Sequence, residues 1–142
     1  FITPDNTVAE RAAALGDRVH FTGHVDDALL RQYFAHADAL VFPSLYEGFG
    51  LPPLEAMACG CPAVVSAAAS LPEVCGDAAL YCDPYQPSEI AAQIVRVATD
   101  EALRARLAEA GRARAREFTW DKTADATWQV LQDAVRGAKA GR

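Results

Sequence analysis

Glu47-Gly48-Phe49-Gly50-Leu51-Pro52-Pro53-Leu54-Glu55 is the stretch on which the reading of this chain turns. It follows the apolar run Ala39-Leu40-Val41-Phe42 and leads into Ala56-Met57-Ala58-Cys59 before Gly60. That order reads as strand, glycine loop, short helix and stop. A proline at 52 or 53 suits a first helical turn, where a missing N–H costs nothing, and Gly60 suits a C-terminal cap. The N–H groups of Gly48, Phe49, Gly50 and Leu51 would then cluster at the positive end of a helix. An anion, above all a phosphate, is stabilised in such a place.

The flanking segments extend the pattern. Upstream, Val8 to Leu15 reads as a short helix ending at Gly16, Val19-His20-Phe21 as a short strand, and Thr22-Gly23-His24 as a turn at its carboxyl end. Asp26 or Asp27 caps a helix through Ala37, with Leu29/Leu30, Tyr33/Phe34 and Ala37 on its apolar face. Downstream, Pro62-Ala63-Val64-Val65 is a strand of buried type, Ser66 to Ser70 a small-residue loop, and Ala79 to Cys82 a further strand. Ser88 caps a helix with Ile90, Ile94 and Val97 on one face, and Asp100 begins another with Leu103, Leu107 and Ala110 in line. A last helix starts near Trp120 and aligns Trp120, Ala124, Thr127/Trp128, Leu131 and Val135, and the tail from Arg136 should fray. Short strands alternating with helices predict α/β architecture: a Rossmann-like, doubly wound parallel sheet. Ligands bind such sheets at the carboxyl ends of the strands, where the Gly23 turn, the Glu47–Leu51 loop and the Ser66–Ser70 loop are all expected.

Composition sets the outer bounds. The chain has 142 residues, 51% of them hydrophobic, which is one domain with a real core rather than a disordered segment. No run approaches the ~20 apolar residues of a membrane span, and the start Phe1-Ile2-Thr3-Pro4-Asp5 shows no signal peptide and no initiating Met. A net charge of −6 argues against a nucleic-acid partner. The charge is uneven: residues 1–99 carry four Arg, no Lys and twelve acids, whereas residues 100–142 carry nine basic and seven acidic residues. The Arg-rich stretch Arg104, Arg106, Arg112, Arg114 and Arg116 reads as a solvated helix face, with docking to a partner or anionic lipid as the alternative. Cys59-Gly60-Cys61 and the seven-residue step from Cys75 to Cys82 do not match zinc spacing, and there are three His. No metal site is predicted. The four cysteines, set among Ala, Val and Leu, read as small buried residues in a reducing compartment.

Glu47 and Glu55 flank the proposed anion loop. Carboxylates do not bind phosphate, so they more plausibly hold hydroxyl groups on either side of it. A ligand with hydroxyl, diphosphate and hydroxyl in sequence is a nucleotide sugar. The stretch resembles the E-x7-E motif of the retaining, two-domain glycosyltransferases of family 4. The similarity runs from about Val19 through Trp120 and takes in Phe42-Pro43-Ser44-Leu45-Tyr46, Glu55-Ala56-Met57-Ala58-Cys59-Gly60 and Leu71-Pro72-Glu73-Val74. Two acids at a fixed gap are a weak signal alone. Embedded in the whole run they are specific.

The resemblance implies the donor-binding, C-terminal half of a GT-B fold, incomplete at its N-terminus. Residues 1–142 would form a single partial domain, and the helix over 120–137 would dock on an N-terminal domain outside this sequence. The implied reaction is transfer of a hexose from a nucleoside diphosphate sugar to a hydroxyl with retention, with GDP-mannose the favoured donor. It would need no metal and no cofactor beyond the donor, in keeping with the absence of an Asp-x-Asp motif. Glu55 would accept hydrogen bonds from the ribose hydroxyls, and Glu47 would contact a hydroxyl of the transferred sugar. Gly48, Phe49, Gly50 and Leu51 would bind the distal phosphate or sugar through backbone N–H groups, stabilising charge as the glycosidic bond breaks. Gly23, His24 and Val25 resemble the nucleobase-contact loop, though an ordinary strand-to-helix turn explains His24 equally well. Ser44, three residues before Glu47, either orients it or starts the loop. The Phe49 ring is equally well read as core, and Glu73 as structural.

The family also uses an Arg and a Lys from the first strand and helix of this domain against the diphosphate. Here no Lys precedes Lys122, and Arg11, Arg18, Arg31 and Arg96 stand in other contexts. The expectation is that this segment lies outside the sequence, that the chain alone does not catalyse transfer, and that an apolar surface left open could drive self-association. The parent protein is expected in the cytoplasm, with a peripheral place at the cytoplasmic membrane face as the alternative. The competing class is a non-catalytic α/β domain that binds a nucleotide or a partner chain.

Overall fold

A computed structural model describes residues 6–140. Two compact units divide the chain, one through Tyr33 and one from Phe34. The first contains helix α1 (Asn6–Ala13), a 3-10 turn over Gly16–Arg18 and most of helix α2 (Asp27–His36). Asp26 rather than Asp27 caps α2, its Oδ1 accepting from the Leu29 N–H at 2.8 Å. The expected strand at Val19–Phe21 is not formed. Val19 is extended, with φ −128° and ψ 122°, but no strand among the described residues pairs with it and Phe21 is exposed. Extended dihedrals become a strand only when a ladder satisfies the backbone, and here none does. The Gly23 turn therefore does not follow a strand.

In the second unit, β1 (Leu40–Phe42), β2 (Ala63–Ser66) and β3 (Ala79–Cys82) form a parallel sheet in the order β1-β2-β3. Val41 faces Val64 and Val64 faces Leu80 across the two ladders. Helix α3 (Leu51–Ala58) connects β1 to β2, and the short helix α4 (Leu71–Cys75), with a 3-10 turn over Gly76–Ala78, connects β2 to β3. The sequence reading has no helix at α4. Five residues with Pro72 in the first turn carry no helical periodicity, and only packing makes them helical.

Side chains alternate across the sheet as the pleat requires. Ala63, Val65 and Ala79 face one way, into a cluster with Met57 of α3 and Leu71, Val74 and Cys75 of α4. Val64, Leu80 and Cys82 face the other way, against Val97 of α5 (Pro87–Thr99) and Leu103 and Leu107 of α6 (Glu101–Ala115). Every residue of β2 is buried. Helices cover both faces, the doubly wound condition that the sequence predicts. α6 approaches α3 closely because residue 111 is glycine: a Cβ there would lie 3.1 Å from Met57 Cγ.

The helix ends show how the chain is stopped and held. Gly60 leaves α3 at φ +80°, its N–H bonding the Met57 carbonyl at 2.9 Å while the Cys61 N–H reaches the Ala56 carbonyl at 2.9 Å. That pair of bonds is a Schellman cap. Asp100 accepts from the Leu103 N–H at 2.9 Å and so starts α6 as read. Ser88 does not cap α5; Gln86 occupies that position, without a side-chain bond, and Pro87 opens the helix. The arginines of α6 are not simply a solvated face. Arg104 donates to the Val97 and Ala98 carbonyls at the end of α5 (3.1 and 2.6 Å), and Arg114 to the Val74 and Glu73 carbonyls of α4 (2.9 and 2.5 Å). Cations placed on the orphan carbonyls of helix C-termini complement the dipole. Arg106 and Arg116 are exposed as expected.

The final helix, α7 (Trp120–Ala140), runs past the predicted fraying point at Arg136. Of residues 120–137 none is buried, and Trp120 and Trp128 are 83% and 63% exposed. No helix among the described residues is long and apolar enough to cross a membrane. The cysteines are free; Cys61, Cys75 and Cys82 are buried as read, whereas Cys59 is half-buried. Burial pushes the Cys75 thiol up to about 11, against the opposing pull of Arg114. Burial, helped by Cys75 and Asp77, pushes the Tyr81 phenol up to about 12, and its O–H donates to the Gly76 carbonyl at 2.6 Å. The folded state therefore holds protons that the unfolded chain releases. Stability should be fully present below pH 9, the ordinary thiol value, and fall as the pH rises towards 11. Urea unfolding at pH 7 and pH 10 checks this, with Cys75→Ala expected to remove part of the slope.

Candidate functional site

The loop after β1 begins at Pro43 and ends at Gly50, the N-cap of α3. Three serines hold it. Ser44 donates its hydroxyl proton towards Glu47 Oε1 at 2.7 Å, with the Tyr46 carbonyl at 3.2 Å. Ser66, fully buried at the end of β2, donates to the Ser44 carbonyl. Ser70, at the start of α4, lies 3.1 Å from the Glu47 carbonyl and 2.9 Å from the Phe49 carbonyl. The Glu47 carboxylate is thus oriented by Ser44, the first of the two readings of that serine.

Gly50 is required by geometry. It sits at φ +100°, ψ 50°, and a Cβ on it would come within 2.7 Å of Leu71 Cδ2, the fully buried first residue of α4. The first turn of α3 is Leu51-Pro52-Pro53, so two of its usual free N–H groups do not exist. The available donors lie instead in the loop and at Leu51. Among the described residues, the N–H groups of Gly48, Phe49, Gly50 and Leu51 donate to no acceptor. Four consecutive unpaired donors before a helix N-terminus have the polarity that suits an anion.

Glu55 lies in the second turn of α3, and its exposed carboxylate has no partner among the described residues. A charge there gains little from the helix dipole, which falls off within the first turn. Its availability is better matched to an external hydrogen-bond donor. The Phe49 ring is not core. It is 42% exposed and meets the Phe118 ring edge-on, centroids 5.7 Å apart. Phe118 in turn lies beneath the Arg114 guanidinium, 4.8 Å from ring centroid to Cζ. One side of the loop is therefore fixed through an aromatic contact to the residue that caps α4.

Gly23, His24 and Val25 belong to the first unit. Gly23 has φ +62°, Gly23 and His24 are exposed, and Val25 is half-buried. Glu73 is exposed and contributes its backbone carbonyl to Arg114, a structural role as read. Among the described residues no group of three or more His, Cys, Asp or Glu could hold a metal ion. Sequence reasoning places the Ser66–Ser70 loop at the ligand edge but not the bonds of Ser66 and Ser70 to the glycine loop, and it misses Phe118 and the Arg114 contacts. A serine just before Leu71-Pro72-Glu73 is a cap signal, but the Ser70 hydroxyl makes no cap bond and serves the loop across from it.

Fold and loop together define a parallel α/β domain with a row of unpaired N–H donors at the carboxyl end of β1, the place where such sheets bind ligands. The family model described as Glycosyl transferases group 1 matches residues 7–114, and the chain belongs to that family. It is 48% identical over 86 residues to O-antigen chain mannosyltransferase B of Escherichia coli, covering 61% of this chain and 23% of that protein. It is 37% identical over 113 residues to the MMP alpha-(1->4)-mannosyltransferase of Mycolicibacterium hassiacum, covering 76% and 28%. The chain thus spans about a quarter of the length of these curated relatives. Its fold is similar to part of the sucrose-phosphate synthase of Thermosynechococcus elongatus, with a TM-score of 0.80, 33% identity, and coverage of 92% of this chain and 34% of the other. It also matches the C-terminal domain of a group 1 glycosyl transferase, LpcC, from Francisella tularensis, with a TM-score of 0.67, 28% identity, and coverage of 78% and 58%. The architecture is the α/β, parallel-sheet type of GT-B enzymes.

The two loop glycines should respond differently to alanine. Gly50→Ala forces a side chain into the left-handed region, at roughly 1–2 kcal/mol, and into Leu71, at about 1–3 kcal/mol more. At Gly48 a Cβ meets nothing within 4 Å and φ is not positive, so Gly48→Ala should leave stability within about 0.5 kcal/mol of wild type. Urea unfolding of the two variants measures the contrast.

Proposed function

We propose that this chain is the donor-binding domain of a retaining, family-4-type hexosyltransferase, acting on a nucleoside diphosphate sugar. The observation that carries the reading is the row of unpaired N–H groups from Gly48 to Leu51, with a serine-oriented carboxylate at Glu47 and a partnerless one at Glu55. The donors match a diphosphate and the carboxylates match hydroxyls, which is the polarity order of a nucleotide sugar. The similarity to mannosyltransferases favours a hexose, and mannose from GDP-mannose first.

In this reading Glu55 holds the ribose, Glu47 positions the sugar, and Gly23, His24 and Val25 contact the base. Phe49, Gly50 and Leu51 bind the distal phosphate. Charge grows on that phosphate as the anomeric carbon–oxygen bond breaks. Donors already fixed by the fold stabilise it without reorganisation. The acceptor oxygen bonds to the anomeric carbon on the face the phosphate leaves, and that phosphate takes the acceptor's proton, so configuration is retained and no side-chain base is required. The reaction is metal-independent and needs no cofactor besides the donor. The acceptor is bound by a separate N-terminal domain of the parent protein, against which α7 docks its apolar stripe of Trp120, Trp128, Leu131 and Val135. The parent enzyme works in the cytoplasm, where nucleotide sugars are the donors.

Calorimetric titration with GDP, GDP-mannose, UDP and UDP-glucose tests the proposal. One base class should bind, and Glu55→Ala should weaken that binding by at least ~10-fold, the loss expected from a carboxylate bonded to a hydroxyl pair. Glu47→Ala should keep nucleotide binding and lose the advantage of the nucleotide sugar over the bare nucleotide. Failure of the whole panel, or binding indifferent to both substitutions, contradicts the reading and favours a partner-binding domain.

A further inference from the structure

We infer that Ser70 is a positioning residue for the donor diphosphate: its hydroxyl holds the Glu47 and Phe49 carbonyls and so sets where the N–H groups of Gly48 and Gly50 point. The inference rests on the proposed donor site and adds to it a residue that makes no contact with the donor. A trans peptide is planar, and its C=O and N–H point in opposite directions. No peptide bond among the described residues is cis. The Glu47 carbonyl shares its peptide plane with the Gly48 N–H, and the Phe49 carbonyl shares its plane with the Gly50 N–H. Both carbonyls converge on Ser70 Oγ, at 3.1 and 2.9 Å. Both N–H groups are therefore turned away from Ser70, on one side of the loop. A hydroxyl has one proton, so the two carbonyls share it or take it alternately. Either way the two planes stay aligned.

Four further features commit Ser70 to this contact. It occupies the N-cap position of α4, yet its side chain makes no cap bond. Position N2 is Pro72, which has no N–H to donate to a capping hydroxyl. The residue before it, Ala69, has φ +50°, a left-handed backbone that alanine rarely adopts. The turn that carries Ser70 is anchored on both sides, by the Ala67 N–H to the Cys82 carbonyl at 2.9 Å and the Leu71 N–H to the Ala68 carbonyl at 3.2 Å. A strained residue held between two anchors fixes the hydroxyl in place.

The experiment compares wild type, Ser70→Ala and Ser70→Thr by calorimetry with GDP-mannose and UDP-glucose, and follows the Gly48 and Gly50 amides by 15N NMR. Wild type should bind one of the two sugars, with the Gly48 and Gly50 amide signals among those that shift. Ser70→Ala should weaken that binding about tenfold, the equivalent of one hydrogen bond to an ionised group, and shrink the two amide shifts. Ser70→Thr keeps a hydroxyl and should restore both readouts. Wild-type binding matched by Ser70→Ala overturns the inference and leaves the donor site standing. Wild-type binding that leaves the Gly48 and Gly50 amides unmoved also overturns it, whether or not Ser70→Ala folds. If wild type binds neither sugar, the donor-site reading falls and this inference falls with it.

Discussion

β2 has no solvent face. All four residues from Ala63 to Ser66 are buried, between α3 and α4 on one side and α5 and α6 on the other. A strand buried on both sides must find all its backbone partners in neighbouring strands, and parallel neighbours can be reached only by crossover connections. Those crossovers return each strand in the same direction, so the loops after β1 and β2 emerge at one edge of the sheet. The hydrogen bonds from Ser66 to Ser44, and from Ser70 to the Glu47 and Phe49 carbonyls, are consequences of that placement. The glycine loop is stiff because it is tied to the next loop along the edge.

Stiffness matters for what the loop can do. An unbraced glycine loop would have to order itself around an anion, and that ordering costs about 1–2 kcal/mol per residue fixed. Here Gly50 is seated on Leu71, Phe49 is held edge-on by Phe118, and Ser44 orients the Glu47 carboxylate. Arg114 supports the same region from behind, binding the end of α4 and lying over Phe118. Donor groups ordered before the ligand arrives are the condition for stabilising charge as it develops.

Much of this was legible in the sequence wherever the determinant was local. The Gly60 stop follows from a glycine after an apolar helix, and the structure makes it a Schellman cap. The loop at the end of β1 follows from an apolar run, glycines and prolines in order. Non-local determinants were not legible. Ser70 reaches the Glu47 carbonyl across 23 residues, and Arg114 reaches the Val74 carbonyl across 40. Neither separation leaves a periodic trace, so Ser70 read as a small-loop residue and Arg114 as part of a solvated face. The short α4 was missed because its helicity comes from burying Leu71, Val74 and Cys75 rather than from propensity. The strand expected at Val19–Phe21 does not form for the converse reason: its residues favour extension, but no ladder among the described residues closes on them.

The central claim is that a diphosphate sits on the N–H groups between Gly48 and Leu51. A crystal structure of the chain grown with GDP-mannose or UDP-glucose tests it most directly. The account predicts the distal phosphate within about 2.7–3.2 Å of the Phe49, Gly50 or Leu51 nitrogens, with the ribose hydroxyls on Glu55. A nucleotide bound elsewhere, with those nitrogens facing only solvent, would contradict it.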